Sequence, residues 1–226
     1  MKGKRHEQSG RIAVWDIFIR IFHWTLVPLV GFAWFSGDEG GRWLAYHMWD
    51  GYLILALLAF RILWGFVGST TARFAHFLAS PRRAVAYVRT VAAGQPAAHY
   101  GHNPLGGYAV AALLLSLCVQ VATGLFATDD ILNAGPLNAL VGARTADLLT
   151  QIHKVNFDIL LALVGIHLCA IVAYRIAGRD LVTPMITGYA RIAPDGRRPI
   201  LQRAHPWVSA AALIVSALIT YAIVQA

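Results

Sequence analysis

Charged residues are scarce in this sequence. Asp, Glu, Lys and Arg make up 13% of its 226 residues, against roughly 25% in an ordinary soluble domain. With 58% hydrophobic residues and a mean hydropathy of +0.57, that shortage excludes a soluble globular protein. Several apolar runs instead approach the roughly 20 residues that cross a bilayer as a helix. Acidic residues are the rarer sign, 11 against 19 basic, for a net charge of +8. The basic residues flank the apolar runs in short loops, as membrane topology requires, so the positive balance does not indicate nucleic acid. Cysteine is nearly absent. Cys118 and Cys169 fall within apolar runs and read as small buried thiols. Low-complexity tracts, convincing repeats and a soluble domain are also missing.

What is present is five apolar segments: Asp16 to Ser36, His47 to Val67, Gly107 to Thr128, Ile152 to Ala173 and Pro206 to Val224. Each is expected to be a helix, because a spanning segment must satisfy its own backbone hydrogen bonds. The fold class is therefore an all-α polytopic bundle. The first run has no small-residue cleavage site and reads as a retained helix. Lys2, Lys4, Arg5 and Arg11 precede it; Arg73, Arg82, Arg83 and Arg89 follow the second run; Arg175, Arg179, Arg191, Arg197, Arg198 and Arg203 follow the fourth. The other two loops carry Arg42 and Arg144 among Asp38, Glu39, Asp129, Asp130 and Asp147. Positive charge is retained inside, so the N-terminus is expected in the cytoplasm and the C-terminus on the outer side.

Nine histidines are present, and His23, His47, His153 and His167 lie within or at the edge of the runs. A coordinating side chain inside a membrane is costly and marks function. Residue 167 follows residue 153 by 14 positions, which is about 21 Å along a helix and within about 40° of the same face. His23 and His167 thus share the cytoplasmic level, and His47 and His153 the outer one. Two imidazoles facing each other across a bundle supply both axial ligands of a haem iron. No CxxCH occurs, which excludes covalent attachment. Two imidazoles per level also fall short of a zinc shell.

Arg61 follows His47 by the same 14 residues and falls on one stripe with it. An intramembrane cation wants a counter-charge; a haem propionate, Asp50 or the cytoplasmic interface would each serve. Arg20, three residues before His23, is a second candidate for a propionate. Gly51 and Gly165 either relieve crowding near a flat macrocycle or simply let helices pack. His6 reads as solvated, His76 as a basic-loop residue and His205 as interfacial. His99 and His102 precede a turn and helix start at Asn103-Pro104, a loop role, with contact to a quinone or propionate as the alternative.

Four motifs carry a family likeness: VWDIFIRIFHW at 14–24, HMWDGY at 47–52, GHNPLGG at 101–107 and IHKVNFDILLALVGIH at 152–167. With them the chain resembles the bacterial cytochrome b561 and nickel–iron hydrogenase b-type cytochrome family. The resemblance covers roughly residues 14–190 and implies a four-helix core with two non-covalent b haems in the inner membrane. It implies the ligands His23, His47, His153 and His167, the four that depth selects. It further implies electron relay between the quinone pool and a periplasmic partner: a hydrogenase, another oxidoreductase or a c-type cytochrome. Residues 191–226 depart from the family pattern, as a linker and a fifth span. A proton-relaying transporter would need acidic residues deep in the membrane, and the only candidates, Asp50 and Asp158, are expected near outer helix ends. A passive anchor would leave four depth-matched histidines without a role.

Overall fold

The computed structural model describes residues 10–94, 99–129, 133–191 and 201–226. Lys2, Lys4, Arg5, His6, Asp130, Arg197 and Arg198 lie outside the described residues. The protein is an all-α polytopic membrane bundle, with five helices long and apolar enough to span. Side chains such as Trp49, Leu53, Phe66 and Ile166 stand exposed on them, an arrangement that lipid accepts and water does not.

The first span, α1 (Ile17–Glu39), is capped by Asp16, which accepts a hydrogen bond from the Ile19 amide at 2.9 Å. The same carboxylate accepts from the Trp64 indole at 3.1 Å and from the Ser69 hydroxyl. It therefore ties the start of α1 to the end of α2 (Trp43–Val67). Gly40 and Gly41, both with positive φ, make the tight turn between these two spans, a conformation that costs glycine nothing. A 3-10 turn at Thr70–Ala72 and a short α3 (Phe74–Phe77) follow, then α4 (Pro81–Ala92). The third span, α5 (Pro104–Gly124), starts with proline at its first turn and Asn103 as its cap, a strong helix-start signal.

The fourth span departs furthest from expectation. Helix α6 (Ala143–Ile176) runs 34 residues and begins nine positions before Ile152. Its first turns carry Arg144, Asp147 and Gln151, so hydropathy reads them as loop although they propagate helix well. His153 accordingly sits ten residues inside the helix, and the exposed Asp158 sits fifteen residues in rather than near its end. The expected end of the third span, to Thr128, is instead a folded turn in which the Leu137 and Gly135 amides donate to the Leu125 and Ala127 carbonyls.

After α7 (Val182–Thr187), strand β2 (Tyr189–Arg191) pairs antiparallel with β1 (Arg11–Ala13), Ile12 opposite Ala190. The last span, α8 (Pro206–Val224), packs along α2 through the buried small residues Ser209, Ala212 and Ser216, close packing that lipid-embedded helices favour. Cys118 is half-buried as expected, but Cys169 faces outward; an apolar run does not reveal which side of a helix meets lipid.

Two apolar clusters form the core. Phe22, Ile54, Leu58, Leu114, Leu117 and Leu160 fill the centre of α1, α2, α5 and α6. Ile19, Phe60, Trp64, Ala72 and Ala212 fill the basic end, joining α8 to α1 and α2.

Candidate functional site

Helices α2 and α6 bring His47 and His153 together. Their ring centroids are 6.1 Å apart and the planes stand at 84°. Each Nδ1 meets a backbone carbonyl on the neighbouring helix: His47 with Ala33 at 3.0 Å, His153 with Gln120 at 2.9 Å. A carbonyl only accepts, so each Nδ1 carries the proton and each Nε2 keeps its lone pair. Hydroxyls of Ser36 and Thr123 lie 3.3 Å from the same two nitrogens. This leaves two neutral imidazoles whose Nε2 atoms carry the lone pair, that of His153 facing the Gln120 side-chain amide, and whose Nδ1 atoms are fixed by second partners as in metal-ligating histidines.

Small residues make room for these rings. A Cβ on Gly124 would lie 2.9 Å from His153 Cε1, and one on Gly37 would lie 3.3 Å from His47 Cε1. A Cβ added at Gly51 or Gly165, both singled out from the sequence, would meet no neighbouring atom within 4 Å. The sequence reading missed Gly37 and Gly124, whose only signal is a position at the end of a span.

A polar chain leads away from His153. The Gln120 side-chain amide lies 3.2 Å from His153 Nε2, its oxygen accepts from Asn156 Nδ2 at 2.6 Å, and Asn156 Nδ2 also donates to the Ser116 carbonyl at 2.9 Å. Asn156 is one helical turn beyond His153 and is buried. These residues also escaped the sequence reading, because a single Asn or Gln in an apolar run has no distinguishing pattern.

At the basic end, His167 on α6 lies within electrostatic reach of His23 on α1. His23 packs edge-on against Trp24, and its Nδ1 is buried with no hydrogen-bond partner among the described residues. Arg61 is buried, donates to the Ala72 carbonyl at 3.3 Å, and lies over the Phe74 and Phe77 rings. It pairs with neither Asp50, whose two oxygens are buried without partners among the described residues, nor the aqueous interface. Arg20 donates to the Ile186 carbonyl at 2.5 Å, while its Nε is buried without a partner among the described residues.

His102 belongs to this level, which the loop reading did not anticipate. Its ring sits 4.7 Å from Trp15 and 5.0 Å from Phe77, within electrostatic reach of Arg61 and His167. Burial first, then Arg61 and His167, push its pKa down to about 3. Its Nδ1 is sealed off without a partner among the described residues.

This donor set fits a haem. The level of His47 and His153, far from the basic end, offers two oriented neutral imidazoles. The basic level offers two more, with a buried cation and three unsatisfied buried nitrogens that a charged cofactor edge would satisfy. Among the described residues no three His, Cys, Asp or Glu side chains converge on one point.

The structure defines a class: polytopic membrane helix bundles with a pair of imidazoles facing each other between spans. The sequence comparison supplies the particular family: the model of prokaryotic cytochrome b561 matches residues 14–188, and the chain belongs to that family. It is thus a multi-pass membrane protein of a family that binds b-type haem and transfers electrons across the membrane. Neither the curated proteins nor the solved structures gave a match.

Proposed function

We propose that the chain holds two non-covalent b haems, one between His47 and His153 and one between His23 and His167. In this reading it relays electrons between the quinone pool and a periplasmic redox partner: a hydrogenase, another oxidoreductase or a c-type cytochrome. The observation that carries it is the approach of His47 to His153, each with its Nδ1 proton given to a backbone carbonyl. Bound haems supply reversible one-electron chemistry at two depths. The polypeptide orients them, excludes water and balances their charge. Leu160, buried two helical turns from both His153 and His167, belongs to the apolar layer between the levels. Arg61, with His102 beside it, supplies positive charge to a propionate of the basic-end haem, and the unpaired Nε of Arg20 is a second donor.

The arginine distribution supports an inner-membrane orientation with a cytoplasmic N-terminus and a periplasmic C-terminus. Residues 14–190 form the haem-carrying unit, and 191–226 add a linker and a span. The test is haem counting with reduced-minus-oxidised spectra on purified protein. Two non-covalent haems per chain are expected. His47→Ala should remove only the far centre and His167→Ala only the basic-end one. A colourless preparation, or a variant that loses neither centre, overturns the reading.

A further inference from the structure

The loop expected between the second and third apolar runs contains a helix, α4, with two distinct edges. Helix α4 is held to the bundle by its buried Ala84 and Tyr87. The Tyr87 hydroxyl lies 3.4 Å from that of Tyr174 on α6, and Asn103 Nδ2 donates to the same Tyr174 oxygen at 2.8 Å. Tyr108 donates to the Ala79 carbonyl at 2.8 Å, fixing the approach to α4. The helix is therefore clamped beside the starts and ends of the spans rather than hanging free.

Its remaining surface is divided. At about 100° per residue, Val85 and Val88 fall on one edge and Arg82 and Arg89 on the next, with Val85 roughly 40° from Arg89. Val85, Val88 and Val91 are 53%, 45% and 42% exposed. A shallow groove runs along the seam, lined by Pro81, Arg82, Val85, Ala86 and Arg89. Arg82, Arg83 and Arg89 have no carboxylate partner among the described residues. The sequence offers them none nearby: from Gly51 through Thr128 it contains no Asp or Glu.

We propose that α4 is a binding site for anionic phospholipid in the leaflet at the basic end. The valine edge lies against the acyl chains, and Arg82 and Arg89 hold the headgroup phosphate over the seam groove. An amphipathic helix with a basic edge lies in the headgroup layer for these reasons, and each of its cations is drawn to the anionic headgroups by charge. The acid-free stretch leaves the arginines without a carboxylate from their own segment, which favours an anionic partner. The proposal does not depend on the haem reading.

The test is lipid retention by the purified full-length protein, read by native mass spectrometry and by thermal shift. The probes are phosphatidylglycerol, phosphatidylcholine and inorganic phosphate. Phosphatidylglycerol should bind in preference to phosphatidylcholine, and inorganic phosphate alone should produce no shift. Each arginine near an anionic surface contributes about fivefold, so R82Q/R89Q together should weaken phosphatidylglycerol binding roughly thirtyfold. R82K/R89K should retain most of it, which guards against simple misfolding of the glutamine variant. Equal binding of the two lipids, a full response to inorganic phosphate, or unchanged binding by R82Q/R89Q overturns the proposal.

Discussion

His47 and His153 stand edge to face with their ring centroids 6.1 Å apart, each turned by a hydrogen bond from Nδ1 to the other hairpin partner's backbone, Ala33 on α1 and Gln120 on α5. The space for the second ring depends on a missing methyl. Gly124→Ala would bring a Cβ to 2.9 Å from His153 Cε1 and 3.2 Å from Nδ1, so the ring must move. The expected outcome is loss of the far haem with the basic-end haem retained, read as one haem per chain by haem extraction. Gly37→Ala, at 3.3 Å from His47 Cε1, should have the milder effect. Full haem content in Gly124→Ala would show that the ring tolerates displacement.

Asn156 joins Ser116 to Gln120, and Gln120 joins His153. Asn156→Leu leaves the Gln120 side-chain oxygen without its donor, a buried polar group of the kind that costs about 1–3 kcal/mol when unsatisfied. The thermal midpoint should fall. The potential of the far haem should shift while that of the other centre stays, because outer partners tune a metal through its ligand. A redox titration that moves both centres equally, or neither, would contradict this.

Asp50 presents a different case. Its carboxylate is buried in α2, and neither oxygen has a partner among the described residues. An uncompensated charge there is destabilising. Asp50→Asn removes the charge at nearly constant volume, so the melting temperature of the purified protein should rise. A fall would mean that the carboxylate has a stabilising partner in the folded protein.

The acid response follows from His102. Its folded-state pKa is held near 3 by burial and by Arg61, while an unfolded histidine titrates near 6.5. Between those values the unfolded chain binds the extra proton, so stability falls as pH drops from about 6.5 toward 3, by up to about 1.4 kcal/mol per pH unit. Wild type should therefore lose more melting temperature than His102→Gln between pH 7 and pH 5. Equal losses would remove His102 from the acid response.

The spans and the approach of His47 to His153 were legible because they rest on long-range periodicity and composition. Twenty apolar residues admit few structures in lipid, and a 14-residue interval fixes both depth and face. What escaped reading was decided by packing. The polar start of α6 and the arginine-bearing α4 score as loop by hydropathy, yet one continues a helix beyond its apolar stretch and the other lies along the bundle. His102 enters the basic level only because Trp15 and Phe77 close around it. That Arg61 lies over ring faces and not against Asp50 likewise depends on where α3 places Phe74 and Phe77.

The length of α6 has a mechanical consequence. Thirty-four residues make a rod of about 51 Å, well beyond the roughly 30 Å hydrocarbon layer. Between Ala143 and His153 there is no proline or glycine at which it could bend. Its first turns are nonetheless tied to the rest of the bundle: Ala146 is buried, and the Thr150 hydroxyl accepts from the Thr128 amide at 3.1 Å. The stretch that leads to His153 is therefore braced along its length, and the imidazole inherits that rigidity.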